Sequence, residues 1–221
     1  MLLNRRTLLA GTAAATLAPA IIAQPAQAAG NLPLLRPPPS GAPDRRLFAP
    51  LEQRFALYLT ILAPMTNDIV DADGPAYGFM GGGWWRNPAQ PFNARVQEHV
   101  FTLSWYYANP RPWNPYYRDA ALLARLDAAL QHYLNLQNPD GSWPEYAPGE
   151  RGKASSGFGL GYLAKTLANL RQAKALPARR AQLEVALGKG IAWYLDPTNT
   201  VVWDNPFQRS EEHTSELQSP I

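Results

Sequence analysis

Five stretches of the chain repeat apolar residues every three or four positions, the spacing that places side chains on one face of an α-helix. No stretch shows the alternation of a half-buried strand, so the sequence predicts an all-α fold. We expect Pro64 to end the first helix, Ser155 and Ser156 to cap the fourth, and Pro177 to open the fifth. The predicted helices lie at about 47–62, 94–108, 119–137, 156–170 and 177–194.

Long and short connections alternate between these predicted helices. Short links follow the second and fourth helices, at about 109–118 and 174–177. If neighbouring helices form antiparallel hairpins, the long segments that follow the first, third and fifth helices all lie at one rim. Functional residues concentrate on long segments held by a rigid scaffold, so we expect the functional face at that rim.

The amino-terminal segment has the features of an export signal. Residues 1–28 combine a basic start, an apolar stretch and a small-x-small cleavage pattern from Ala26 to Ala28. Arg5 and Arg6, followed by Thr-Leu-Leu, resemble a twin-arginine signal peptide, which exports folded proteins. An ordinary secretory signal is the alternative. Both predict contact with export machinery and a periplasmic or extracellular location in a bacterium.

Two further segments flank the helical region. Segment 29–46 is rich in proline, which predicts an extended linker. Arg209 to Ser219 reads RSEEHTSELQS, which resembles the in-frame translation of a high-throughput sequencing adapter. We interpret 209–221 as adapter-derived, give its side chains no functional role, and expect the natural chain to continue beyond Gln208. The predicted helical domain is therefore 47–208.

Composition excludes several classes of protein. The chain has no cysteine, which excludes disulfides, iron–sulfur clusters and a thiol nucleophile. Its net charge of +3, without runs of Lys or Arg, argues against a nucleic-acid partner. Beyond the export signal no apolar run reaches the roughly 20 residues that a membrane helix needs, so we expect no integral membrane segment in the mature chain.

The sequence QNPDGSWPEY at 137–146, which follows the third predicted helix, resembles the QxxxGxW element of α/α-toroid proteins. Gln137 is expected to bond open carbonyls at the helix end, Gly141 to permit the turn, and Trp143 to cover the next helix. Toroids of this kind include triterpene cyclases, polysaccharide lyases and glycosidases, and the acidic DxDD motif of the cyclases is absent. The resemblance implies a carbohydrate-active protein that acts on a polysaccharide or oligosaccharide. It also implies an incomplete (α/α) toroid, since five helices are too few to close the ring.

Aromatic and glycine residues gather in the long segments. Glycine lets the backbone approach a ligand, and tryptophan offers a flat apolar face to a sugar ring. Packing between helices is an alternative for Trp84 and Trp85, and is favoured for Trp143 because the QxxxGxW element needs it. The predicted substrate-binding residues are Trp84, Trp85, Arg86, Asn87, Trp143, Glu145 and Trp203.

The second predicted helix carries the best catalytic candidates. Arg95, His99, Thr102 and Tyr106 recur at helical spacing and share one face beside the apolar stripe. In polysaccharide lyases of this fold class, β-elimination needs a group that neutralises a uronate carboxyl, a base and an acid. The resemblance therefore assigns Arg95 or Asn67 to the carboxylate, His99 to the base and Tyr106 to the acid. The alternative is that this face of the second helix is half exposed to solvent and has no catalytic role. The other histidine of the helical region, His132, lies in the third predicted helix, and we interpret it as structural.

Two other functions stay open. A glycoside hydrolase needs two carboxyl groups about 5 to 9.5 Å apart, and the candidates are Asp68, Glu98, Glu145 and Asp204. A non-catalytic glycan-binding or surface module would keep the tryptophans and tolerate the loss of His99 and Tyr106. Asp68, Asp71 and Asp73 offer oxygen ligands for Ca²⁺ but lack the EF-hand pattern. We therefore favour a solvated acidic loop and expect no metal or other cofactor.

Overall fold

The structure is a computed structural model that describes residues 32–38, 44–81 and 87–199. Within these ranges the only bridges between extended segments are two isolated ones, and the prediction of an all-α fold is confirmed. None of the helices in these ranges combines the length and apolar character that a bilayer crossing requires. The five α-helices are α1 (Phe55–Asn67), α2 (Val100–Ala108), α3 (Ala120–Asn135), α4 (Lys153–Ala173) and α5 (Pro177–Leu195).

Helix α3 shows why the sequence pattern produces these elements. Its amino terminus is capped by Asp119, whose carboxylate accepts a hydrogen bond from the backbone N–H of Leu122 at 2.8 Å. The stripe that predicted this helix is fully buried at Leu122, Leu126, Leu130 and Tyr133. Each buried leucine contributes about 2 kcal/mol relative to an exposed one, so packing stabilises the helix more than its intrinsic propensity does.

Contacts between helices follow a regular order. Helix α2 packs most extensively against α4, while α1 and α5 both contact α3. The short links join α2 to α3 and α4 to α5, and these pairs also contact each other. Helices two apart in sequence are thus also spatial neighbours, as in the pairs α1–α3, α2–α4 and α3–α5.

The beginning of the helical region differs from its prediction. Residues 45–52 form two short 3₁₀ turns instead of helix, and Leu47 and Leu51 are 53% and 85% exposed. Pro64 does not end α1 but lies inside it. The nitrogen of Pro64 carries no hydrogen and cannot donate to the carbonyl of Thr60, four residues earlier. Because Thr60 is exposed, water can donate a hydrogen bond to that carbonyl instead.

The predicted caps of α4 are also wrong. Ser155 and Ser156 lie inside the helix and are buried, and Gly152 is the N-cap. The hydroxyl of Ser156 donates to the carbonyl of Gly152 at 2.6 Å and accepts from the N–H of Trp143 at 2.8 Å. A serine in the first turn can bond back to the preceding turn in this way. Pro177, by contrast, opens α5 as predicted.

The predicted linker contains a segment that is part of the fold. Leu35 is only 1% exposed, and its backbone N–H and carbonyl both bond to the side chain of Asn67, at 2.8 and 2.9 Å. The guanidinium of Arg125 donates to five backbone carbonyl groups, those of Leu32, Pro33, Thr66, Asn67 and Ile69. The domain therefore includes residues 32–38, which composition alone assigned to an extended linker.

The QxxxGxW segment follows α3 in the chain and also contacts α5. The side-chain amide of Gln137 donates to the carbonyl of Gly141 at 3.0 Å and to that of Ala186 in α5 at 2.8 Å, whereas only its backbone N–H donates to its own helix, at Leu134. Gly141 has a φ of 102°, and a Cβ there would lie 2.5 Å from a carbonyl oxygen of α5. Trp143 is fully buried, and its indole N–H donates to the carbonyl of Tyr133 at 3.1 Å. Gly141 thus permits the turn as expected, while the ring of Trp143 lies against Tyr133 of α3 and Gly190 of α5.

Candidate functional site

A cleft of about 550 Å³ lies between the start of α1, the 3₁₀ turn and helix at 94–108, and α4. This volume is in the usual range for sites that bind small molecules, about 300 to 1,000 Å³. Its walls combine aromatic rings, which suit the apolar faces of sugars, with charged and polar groups that can bond hydroxyls. The lining residues are Leu51, Arg54, Phe55, Tyr58, Arg95, Glu98, His99, Phe101, Thr102, Trp105 and Tyr162.

The position of the cleft differs from the expected functional rim. Among the described lining residues, none belongs to the long segments 63–93 and 138–154. The lining comes from the residues around the start of α1, from the stretch 95–105 and from Tyr162 of α4. Chain segments far apart in sequence therefore form this surface together.

A 3₁₀ turn over Ala94–His99 brings the polar residues to the cleft and runs directly into α2, where the sequence predicted one continuous helix. The turn is anchored by Gln97, which is fully buried. Its side-chain oxygen Oε1 accepts a hydrogen bond from the backbone N–H of Met80 at 2.8 Å. Its side-chain nitrogen Nε2 donates to the backbone carbonyl oxygens of Gly78 and Ala129, at 3.0 and 3.1 Å. Because the side-chain oxygen and nitrogen of Gln97 are both hydrogen-bonded, the turn is fixed in place. His99, the last residue of the turn, is therefore held at the amino terminus of α2.

Arg95 brings two of the predicted carboxylates together. Its Nε donates to Oε1 of Glu98 at 2.6 Å, and its Nη1 lies 3.8 Å from Oε1 of Glu145. One guanidinium thus contacts both carboxylates. The ring of Phe158 stacks under the guanidinium, 4.4 Å from its central carbon.

Tyr106 and Asn67 do not join this group. Tyr106 is fully buried under the first turn of α1, where its hydroxyl donates to the carbonyl of Phe55 at 2.9 Å. Burial raises the pKa of the Tyr106 hydroxyl well above its ordinary value. Asn67 lies at the opposite end of α1 and bonds the backbone of Leu35. Both side chains are thus committed to holding backbone rather than facing the cleft.

The remaining candidates have separate positions. Trp143 is fully buried and has no face for a sugar, whereas Asn87 is exposed and accepts a hydrogen bond from Ala89 N–H at 3.0 Å. Glu145 contacts Arg95 from outside the cleft lining. The other candidates fall outside the described residues, namely Trp84, Trp85, Arg86, Trp203 and Asp204.

Several lining residues were not predicted. Phe101 and Trp105 follow Glu98 at offsets of three and seven on one helix face, a signal that the polar pattern at 95, 99, 102 and 106 obscured. Arg54 is the N-cap of α1 and Tyr162 lies in α4, and nothing local in the sequence connects them to His99. Within the described part of the chain Arg54 makes no ion pair.

His132 has the structural role predicted for it. Its ring is buried, with Nδ1 3.1 Å from the carbonyl of Tyr77 and Nε2 2.8 Å from that of Pro91. Burial lowers the pKa of the imidazole, and the two backbone contacts oppose this only in part. Across the ranges 32–38, 44–81 and 87–199 no three His, Asp or Glu residues are close enough together to hold a metal ion. These ranges include the acidic loop that begins at Asp68.

Fold and site together define an all-α protein with an aromatic, charged cleft against its second helix. Comparisons of the chain with known protein families, curated proteins and solved structures find no match.

Proposed function

We propose that the chain is an exported polysaccharide lyase that cleaves a uronate-containing glycan by β-elimination in this cleft. The observation that carries the proposal is that one cleft holds an imidazole, two tyrosines beside aromatic walls, and an arginine that forms no ion pair with any described residue. These residues are His99, Arg54, Tyr58 and Tyr162. Their side chains comprise the groups that elimination from a uronate requires.

Each step has a group of the right chemistry. The substrate carboxylate pairs with Arg54, which makes the neighbouring C–H more acidic. The unprotonated imidazole of His99 removes that proton, the C–O bond to the leaving sugar breaks, and a C=C bond forms. Tyr58 or Tyr162 donates a proton to the leaving oxygen, a role that Tyr106 cannot take because backbone occupies its hydroxyl.

We also propose that the helices form part of an α/α toroid. In such a ring each helix contacts the helix two positions along, as α2 does with α4 and α3 with α5. The extensive α2–α4 packing supports an inner position for these helices, because neighbours on the smaller radius lie closer together. The QxxxGxW segment supports the same arrangement by joining α3 to α5.

A glycoside hydrolase is the second candidate. Glu98 lines the cleft, and Glu145, which is only 6% exposed, contacts the same guanidinium of Arg95. An inverting hydrolase needs carboxyl groups roughly 6.5 to 9.5 Å apart, one protonated and one ionised. The ion pairs with Arg95 favour two ionised carboxylates instead, which places the lyase first.

The distinguishing experiment incubates the chain with polygalacturonate, alginate and hyaluronan, and with neutral glucans. A lyase produces both new reducing ends and the ultraviolet absorbance of a 4,5-unsaturated uronate. A hydrolase produces reducing ends without that absorbance, and a binding module retains the glycan with neither product. We expect His99→Ala to abolish the absorbance while the far-ultraviolet circular dichroism stays unchanged. Full activity in this variant would refute the role of His99.

A further inference from the structure

The arginine that the resemblance assigns to the substrate is already engaged by the protein. Arg95 is 23% exposed, and its guanidinium contacts the carboxylates of Glu98 and Glu145 and stacks on the ring of Phe158. Its positive charge is thus already paired with two carboxylates of the protein. A guanidinium in this arrangement attracts a substrate carboxylate less than an arginine without such pairs does.

Arg95 also connects two segments that are far apart in sequence. It belongs to the turn 94–99, which carries Glu98 and His99 to the cleft, whereas Glu145 belongs to the segment that follows α3. The N–H of Ala94 donates to the carbonyl of Pro144 at 3.1 Å and joins the same two segments. Because a 3₁₀ turn has weaker internal hydrogen bonds than an α-helix, its position depends on such outside contacts.

We propose that Arg95 is a positioning residue, which together with Glu145 holds the turn 94–99 so that His99 faces the substrate, and that it binds no substrate itself. This inference rests on the proposed function and leaves the substrate carboxylate to Arg54. Loss of Arg95 or Glu145 then slows the chemical step through misplacement of His99. Loss of Arg54 instead weakens substrate binding.

The test compares steady-state kinetics of the full chain on polygalacturonate, alginate and hyaluronan. We expect Arg95→Gln and Glu145→Gln each to lower kcat about tenfold or more with KM within about twofold. The double variant is expected to be no slower than the slower single variant, because each single change already removes the contact between Arg95 and Glu145. Arg54→Gln is expected to raise KM. Arg95→Lys keeps the charge and should recover part of the rate.

A matched control is Arg171→Gln, which breaks an exposed 2.8 Å ion pair with Glu184 between α4 and α5. It should leave both constants unchanged. An Arg95→Gln variant that raises KM as Arg54→Gln does, with kcat retained, would overturn the positioning role. Independent, additive losses in the double variant would overturn it as well.

A second measurement separates this inference from the proposed function. If the wild-type chain converts none of the glycans, the lyase proposal fails, but the position of His99 can still be followed by NMR. The imidazole resonances of His99, assigned with His99→Gln, are expected to shift alike in Arg95→Gln and Glu145→Gln and to stay in place in Arg171→Gln. Resonances that do not move in the first two variants would refute the positioning role.

Discussion

Replacing Arg125 with methionine is expected to lower the free energy of unfolding by about 4 kcal/mol. The buried guanidinium donates to five carbonyl oxygens at 2.7 to 3.4 Å. Hydrogen bonds from a charged donor contribute roughly 1.5 to 3 kcal/mol each, and the desolvation of the arginine offsets a large part of their sum. Methionine keeps most of the side-chain volume but cannot donate to the carbonyls of either segment.

The assay is urea denaturation followed by circular dichroism. With an m-value of about 2 kcal/mol/M, the loss shifts the midpoint by about 2 M. Leu35→Ala tests the same docked segment by a different route and should cost about 2 to 4 kcal/mol, because the leucine is 1% exposed. Arg171→Met is the control, since exposed ion pairs contribute about 1 kcal/mol or less. A loss below about 1 kcal/mol in Arg125→Met would refute the view that residues 32–38 are integral to the domain.

Two further predictions concern the pH dependence and the turn after α3. Burial lowers the pKa of His132 in the folded state, so the unfolded chain binds a proton more readily. Stability should therefore fall as pH drops below about 6.5, the ordinary value for histidine, and His132→Gln should flatten this dependence in pH-series denaturation. Gly141→Ala should cost about 2 kcal/mol or more in thermal unfolding, because φ is 102° and the new Cβ meets a carbonyl of α5 at 2.5 Å. An unchanged pH profile or melting temperature would contradict the respective argument.

The sequence by itself determined the fold class and the turn at Gly141. It also predicted the bounds of α3, α4 and α5 to within a few residues, and it located α2, although the first six residues of that predicted helix form a 3₁₀ turn. These features depend on contiguous patterns, such as the stripe of α3 and the proline that opens α5. The same local reasoning failed at Pro64, Ser155 and Ser156. There the outcome depends on whether a backbone group is exposed to water or bonded to a neighbouring segment.

Only the tertiary structure decided which polar residues share a cleft. Arg54 and Tyr162 join His99 through packing of helices that are distant in sequence, whereas Tyr106 shares a helix with His99 and is buried under α1. Periodicity places residues on a face of a helix but does not say which part of that face another helix covers. Burial of Leu35 and the pairing of Arg95 with Glu145 are decided in the same way, by contacts between segments that no local pattern links.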